Sequence, residues 1–129
     1  MKDLLFVYGT LRKGHGNHTH FLKNAEFVGE GTIEHKFRMF SNGGFPYLLD
    51  SPEHNYIVHG EVYRVTPEEL RGTDTLEGYP SWYDRRKETV VLSTGQTVKA
   101  WVYFQTKLDT SRLVELRNGD WNKRYAYSE

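Results

Sequence analysis

Residues 58–70 read VHGEVYRVTPEEL and predict a strand that runs directly into a helix. The first part alternates between two sets of side chains, as a β-strand does, although neither set is cleanly apolar. Thr66 is placed as a helix N-cap, with Pro67 at the first helical position and Glu69 completing a capping box. The helix is expected to stop just before Gly78, the residue best suited to a left-handed C-terminal cap.

Strand signals dominate the rest of the chain and are separated by glycine-containing turns. The apolar run from Leu4 to Tyr8 predicts a buried first strand. A glycine-rich loop follows, after which Asn17 is the expected N-cap of a short helix that reaches Lys23. The further expected strands are 27–33, 36–40, 47–49, 57–65, 87–92 and 97–104, with a hairpin turn at 93–96.

Composition limits both the organisation and the function. No linker, repeat or low-complexity tract divides the 129 residues, so one domain over 1–129 is expected, with an irregular tail at 105–129 that Trp121 pins down. The 17 basic residues balance 17 acidic ones, so no global charge attracts nucleic acid or an anionic membrane. The absence of cysteine excludes disulfides and thiolate chemistry. No apolar run suits a signal or membrane segment, and a cytoplasmic location is expected.

Residues 74–84 read DTLEGYPSWYD and place two acids at the predicted end of the second helix. Asp74 and Glu77 lie about one turn apart on one face, and the negative end of the helix macrodipole lies beside Glu77. The like charge, the dipole and burial against the aromatic turn would each raise the pKa of Glu77. A rise of roughly two units, or about 2.7 kcal/mol, would suit a general acid and base near neutral pH. The candidate cavity walls are Tyr79, Trp82 and Tyr83.

A structural interpretation of the same stretch stays open. Carboxylates near helix ends are common, and an aromatic turn is more often core than pocket. Glu77 would then pair with one of the basic residues that follow the turn, which are Arg85, Arg86 and Lys87. The glycine of Gly72-Thr73 is also a poor helix former, so the helix is expected to be short or bent before Glu77.

The loop after the first strand reads YGTLRKGHGNH, residues 8–18, and is the second candidate site. Gly9 permits close backbone approach, and the N–H groups of 9–11 can form a concave nest for a carboxylate or an oxyanion. An ordinary glycine-rich connection is the alternative. The glycine spacing matches neither a phosphate loop nor a dinucleotide fingerprint. The chain has no Gly-x-Ser-x-Gly elbow, and its loop histidines, His15, His18 and His20, lack an identifiable further metal ligand.

Three segments together resemble the gamma-glutamylcyclotransferase-like family, which includes the gamma-glutamylamine cyclotransferases and the plant AIG2-like proteins. The segments are FVYGTLRKGHGNH, VHGEVYRVTPEEL and DTLEGYPSWYDR, in the order and approximate spacing of that family. The resemblance covers roughly residues 3–104. It implies a small mixed α+β fold, a compact β-barrel flanked by a few short helices, with a ligand cavity at one end.

The resemblance also implies a reaction and a set of site residues. A gamma-glutamyl compound would cyclise to 5-oxoproline and release its amine, without water, metal or organic cofactor. Glu77 matches the family's acid/base glutamate and Tyr83 its pocket tyrosine. The residues that match the substrate-binding loop are Tyr8, Gly9, Thr10 and Leu11. The residues after this loop look closest to the gamma-glutamylamine branch, while gamma-glutamyl amino acids, glutathione and a non-catalytic binding module on the same fold remain alternatives.

Overall fold

The structure, a computed structural model, describes residues 2–51 and 56–123. Two helices and eight strands occur in this part of the chain. In chain order they are β1 (Asp3–Val7), α1 (Gly16–Phe21), β2 (Glu26–Ile33), β3 (Phe37–Ser41), β4 (Pro46–Asp50), β5 (Val58–Val65), α2 (Pro67–Glu77), β6 (Asp84–Leu92), β7 (Thr97–Phe104) and β8 (Val114–Glu115). Neither of these two helices is long and apolar enough to cross a membrane.

Five strands close into a barrel in the order β1, β5, β2, β6, β7. The closing pair is parallel, with Leu5 of β1 beside Trp101 of β7, whereas the other barrel pairs are antiparallel. A separate three-stranded sheet has the order β4, β3, β8. The mixed α+β fold with a compact barrel, which the resemblance implied, is confirmed.

Strand β5 is buried on both faces, although the sequence makes neither face cleanly apolar. It pairs with β1 on one side and with β2 on the other, so it lies inside the sheet. Side chains on both of its faces are buried, including Val62 and Tyr63 on alternate faces and the charged Glu61. Gly60 is required by close packing, because a Cβ there would lie 2.3 Å from the carbonyl oxygen of Val7.

Helix α2 begins and ends as its sequence predicts. The Thr66 side chain accepts a hydrogen bond from the N–H of Glu69, and the Glu69 carboxylate accepts one from the N–H of Thr66. Gly78 has φ 68° in the left-handed region. The expected shortening does not occur: α2 is continuous through Gly72 and Thr73 to Glu77, and the buried Thr73 hydroxyl donates to the Leu70 carbonyl.

Two expectations about connecting segments need correction. Asn17 does not cap α1, which begins after His15 without a side-chain cap; the Asn17 amide donates instead to the Thr10 hydroxyl at 2.8 Å. The tail contains the short strand β8, which pairs with β3. Trp121 is only 2% exposed and anchors this segment, as expected, while residues 124–129 of the expected tail lie outside the described residues.

Candidate active site

A cavity of about 170 Å³ lies where β1 ends, between the loop that follows β1 and the C-terminal end of α2. A single water needs roughly 10–15 Å³ by a comparable measure, so the cavity admits a small organic molecule. All six residues that the sequence nominated line it: Tyr8, Gly9, Thr10, Leu11, Glu77 and Tyr83. Residues more than sixty positions apart therefore meet at one end of the barrel.

Glu77 is the acidic side chain of this cavity, and the described chain gives its carboxylate no partner. Within residues 2–51 and 56–123, no group donates a hydrogen bond to that carboxylate and no cation pairs with it. Burial raises the pKa of Glu77 to about 7. The sequence predicted a raised pKa, but burial is the cause rather than the charge of Asp74. A carboxyl group in this state is available both to accept and to donate a proton near neutral pH.

Asp74 is held one turn away from Glu77 by two partners. The Arg85 guanidinium donates to it from Nε to Oδ1 at 2.8 Å and from a terminal nitrogen to Oδ2 at 3.2 Å. The Tyr103 hydroxyl donates to Oδ1 at 2.7 Å. This bidentate pair satisfies the charge of Asp74, so the expected repulsion between Asp74 and Glu77 is replaced by an ion pair.

The structure excludes the alternative in which Glu77 pairs with one of the basic residues 85–87, because each of them pairs with another acid. Arg85 pairs with Asp74, and Arg86 pairs with Asp50 at 2.8 Å and with Glu88. Lys87, in turn, lies 3.8 Å from Asp3. Strand β6 therefore directs each of the three basic side chains to an acid other than Glu77.

Two buried tyrosines line the cavity together with Glu77. The Tyr8 hydroxyl donates to the Tyr103 carbonyl oxygen at 2.9 Å. Burial raises the pKa of Tyr8 and that of Tyr83 far above the usual tyrosine value, and the nearby carboxylate of Glu77 adds to the rise in both. Both phenols are therefore neutral near pH 7. They supply polar, uncharged edges to a cavity that is otherwise largely apolar.

The loop 8–11 presents unused backbone donors beside the cavity. In the described part of the chain, the N–H groups of Gly9, Thr10 and Leu11 donate to no backbone or side-chain acceptor. The loop packs closely against Pro46 at Gly9. A Cβ at this position would lie only 2.6 Å from Pro46 Cγ, so a larger residue would not fit there. The expectation of close backbone approach at Gly9 is therefore correct, and the neighbour is a proline ring.

A buried ionic cluster lies directly behind this loop, and sequence reasoning missed it. Arg12 is 4% exposed; its Nε lies 3.3 Å from Glu61 Oε2, and another of its nitrogens lies 2.8 Å from Asp120 Oδ1. The Glu61 carboxylate also accepts hydrogen bonds from the N–H of Lys13 and from the Tyr63 hydroxyl. The signal that could have predicted it is Glu61, an acidic residue in the middle of a predicted strand with apolar residues on both sides of it.

Other cavity residues were also missed or misplaced by the sequence. Residues that line the cavity but were not nominated include Asn17, Phe45, Pro46, Leu76 and Tyr103. Trp82 lies on the cavity wall, as expected. Tyr79 does not: its ring packs under the Arg85 guanidinium, 4.4 Å from centroid to Cζ.

A wider cleft of about 440 Å³ lies near the Arg12 cluster, but its buried charged side chains are already engaged in an ion pair. Its buried ionic groups, Arg12 and Asp120, pair with each other. The loop histidines do not converge: His15 contacts Asn122 and His18 contacts the Leu11 carbonyl. Within residues 2–51 and 56–123, no group of three or more His, Asp or Glu side chains could hold a metal ion.

Comparison with known proteins agrees with this geometry. The family model for gamma-glutamyl cyclotransferase, AIG2-like, matches residues 5–123. A Methanocaldococcus jannaschii protein named "Putative gamma-glutamylcyclotransferase" is 42% identical over 102 residues, covering 79% of this chain and 83% of that protein. Gamma-glutamylaminecyclotransferase B of Danio rerio is 32% identical, over 98% of this chain and 74% of that protein.

A solved structure supports the same assignment at the level of the fold. The crystal structure of a mouse AIG2-like protein matches with a TM-score of 0.76 and 32% identity, covering 84% of this chain and 80% of the mouse chain. The sequence resemblance, the closed barrel and the cavity around Glu77 therefore lead to one conclusion. The chain belongs to the AIG2-like gamma-glutamyl cyclotransferase family.

Proposed function

We propose that this protein cyclises a gamma-glutamylamine to 5-oxoproline and releases the free amine, with Glu77 as the general acid and base. The observation that carries the proposal is a carboxyl group of pKa about 7 that lines a cavity with the loop 8–11 and has no partner among the described residues. The choice of an amine substrate is supported by the Danio rerio relative, whose name specifies that class.

The substrate supplies its own nucleophile in this reaction. Its α-amino nitrogen attacks the γ-carbonyl carbon, a five-membered ring forms, and the bond to the departing amine nitrogen breaks. No serine or cysteine nucleophile is needed, in keeping with a chain that contains no cysteine. The cavity acts mainly by holding the glutamyl chain folded, and such positioning can supply several kcal/mol, up to about 7–11 in the best cases.

Glu77 moves the protons. The α-ammonium must lose two protons to become the lactam N–H, and the departing nitrogen gains two as it leaves as an ammonium. A carboxylate that accepts each proton and passes it on balances this transfer, and such catalysis contributes typically about a hundred- to ten-thousandfold. The pKa of about 7 keeps both states of Glu77 populated near neutral pH.

The loop 8–11 binds the anionic parts of the substrate. Its unused N–H groups can hold the α-carboxylate or the oxyanion that develops on the γ-carbonyl. A well-placed oxyanion donor is worth roughly 3 kcal/mol. The neutral hydroxyls of Tyr8 and Tyr83 add polar groups at the cavity wall.

The test is turnover by the purified protein on gamma-glutamyl-ε-lysine, a gamma-glutamyl amino acid and glutathione. Formation of 5-oxoproline is expected, without glutamate, since glutamate would indicate hydrolysis. Glu77→Gln should lower turnover by about a hundredfold or more. Glu68→Gln is the matched control, because Glu68 is an exposed acid in the first turn of the same helix. Absence of 5-oxoproline with every gamma-glutamyl compound, uncharged gamma-glutamyl amides included, or a Glu77→Gln variant as active as the parent, contradicts the proposal and leaves a binding module.

A further inference from the structure

The mouth of the cavity is built from exposed aromatic rings. Trp82 is 60% exposed and Phe45 is 38% exposed, although both line the cavity. Large aromatic side chains left open to water at a concave site mark a surface that binds an apolar group. These two rings, which we call the aromatic rim, are not used by the reaction as described above.

The aromatic rim is continuous with the buried interior of the site. Tyr47 links its parts, with its ring centroid 5.2 Å from that of Phe45 and 6.4 Å from that of Trp82. Tyr47 also stacks nearly parallel on Tyr83, at 6.5 Å between centroids and an interplanar angle of 11°. Trp82 also lies directly beside Tyr83, with 5.7 Å between their ring centroids, so the rim adjoins the tyrosine that lines the interior.

Local backbone contacts hold both rim residues in place. The Phe45 N–H donates to the Asn42 side chain, and the next residue, Pro46, packs on Gly9. The Trp82 N–H donates to the Gly78 carbonyl at 2.8 Å, immediately after the helix that carries Glu77. The rim therefore has a defined position relative to both the loop 8–11 and Glu77.

The charges of the cavity restrict the substrate further. Its described lining contains one carboxyl side chain, Glu77, and no lysine, arginine or histidine. The α-carboxylate of the glutamyl group can use the loop N–H donors, but a second carboxylate on the departing amine would find no cation among these lining residues. A buried or half-buried charge without a partner is unfavourable, particularly beside another carboxylate.

Resting on the proposed function, we infer that the departing amine carries an uncharged aromatic or bulky apolar group, which binds between Phe45 and Trp82. The glutamyl part then occupies the interior beside Glu77 and the loop. The aromatic rim selects the amine by ring packing, and the lack of a cation in the described lining disfavours amines that bear a carboxylate next to the scissile bond.

The experiment compares kcat/KM for three synthetic substrates that differ only in the amine: gamma-glutamyl-benzylamide, gamma-glutamyl-methylamide and gamma-glutamyl-phenylalanine. The benzylamide should exceed both of the others by about tenfold or more. Trp82→Ala and Phe45→Ala should each lower the ratio of benzylamide to methylamide several-fold. Phe27→Ala is the matched control, since Phe27 is 53% exposed but packs on Tyr63 away from the cavity, and it should leave the ratio unchanged.

A gain of function tests the charge argument separately. Phe45→Arg supplies a cation at the rim and should raise the ratio of gamma-glutamyl-phenylalanine to benzylamide turnover by about tenfold or more. Equal kcat/KM for benzylamide and methylamide, or a ratio insensitive to both alanine variants, would overturn the inference while leaving the proposed function standing. Failure of all three substrates and of the earlier panel to give 5-oxoproline would instead overturn the proposed function and the inference with it.

Discussion

Glu77 and Glu115 are both glutamates partly shielded from solvent, yet the fold treats them in opposite ways. The Arg38 guanidinium donates two hydrogen bonds to Glu115, at 2.9 and 3.0 Å, and lowers the pKa of that carboxyl to about 2. Burial raises the pKa of Glu77, which has no such partner in the described chain, to about 7. The pKa of the same side chain therefore differs between the two regions by about five units.

The difference shows which carboxylates the fold uses for structure. Asp74 belongs with Glu115, because Arg85 and Tyr103 bind it, although it lies on the same helix face as Glu77. Proximity in sequence does not decide the role of an acid. A basic partner from another strand does, and none of the described strands brings one to Glu77.

The largest expected effect comes from removing the cation of the most buried cluster. Arg12→Met leaves Glu61 and Asp120 buried without their shared partner, so the free energy of unfolding should fall by about 3–5 kcal/mol. Urea denaturation monitored by tryptophan fluorescence measures this. The control is Arg64→Met, whose exposed pair with Glu26 should be worth less than about 1 kcal/mol. A loss at Arg12 no greater than at Arg64 would show that the cluster is not structural.

The next effect concerns the pH dependence of catalysis at Glu77. With a pKa of about 7, the carboxylate form falls from about half of the protein at pH 7 to about one hundredth at pH 5. If the carboxylate is the active form, kcat/KM should fall about fiftyfold over that range. Initial rates of 5-oxoproline release, with chemistry limiting, provide the profile. A rate that stays level between pH 5 and 7 would be inconsistent with Glu77 as the base.

A smaller effect is expected where Glu115 loses its main partner. Its folded pKa lies below the unfolded value of roughly 4.3, so its stabilisation is present above that pH and is lost as the pH falls toward 2. Arg38→Met should therefore lower the free energy of unfolding by about 1.5–3 kcal/mol at pH 7 and by about half as much at pH 3. Exposed Arg112 offers the control substitution Arg112→Met. A loss that is the same at both pH values would exclude this ion pair as its cause.

The smallest expected effect is the loss of folding stability caused by ionisation of Glu77 in the cavity. Its folded pKa lies above the unfolded value, so ionisation destabilises the folded state as the pH rises from about 4.3 to 7, and the full loss is present above 7. Glu77→Gln should stabilise the protein relative to the parent by about 1–2 kcal/mol at pH 8.5, less than the full shift implies because the cavity opens to water. At pH 4 the two proteins should be nearly equal. Thermal denaturation of both proteins at pH 4 and pH 8.5 measures this difference. A Gln variant that is no more stable than the parent at pH 8.5 would contradict the prediction.

Local features of the fold could be predicted well because their causes are local. The capping box at Thr66 and the left-handed turn at Gly78 depend on residues within one helical turn, and both occur as expected. Strand β7 matches its predicted bounds, and the loop 8–11 lies at the end of β1, where the apolar run stops. The cap expected at Asn17 does not form, because α1 already begins at Gly16 and the Asn17 amide donates to the Thr10 hydroxyl instead.

Sequence alone predicts both helices, seven of the eight described strands, the family resemblance and the six candidate site residues, but it does not predict β8. Each of these follows from short-range patterns or from motifs that can be read in the chain. The partners of the charged side chains, in contrast, depend on the tertiary fold: β6 brings Arg85 to Asp74, and Glu61 of β5 and Asp120 both pair with Arg12. Ion pairing and burial depend on side chains that meet from distant elements, and for that reason the raised pKa of Glu77 has burial, rather than its neighbour in the helix, as its cause.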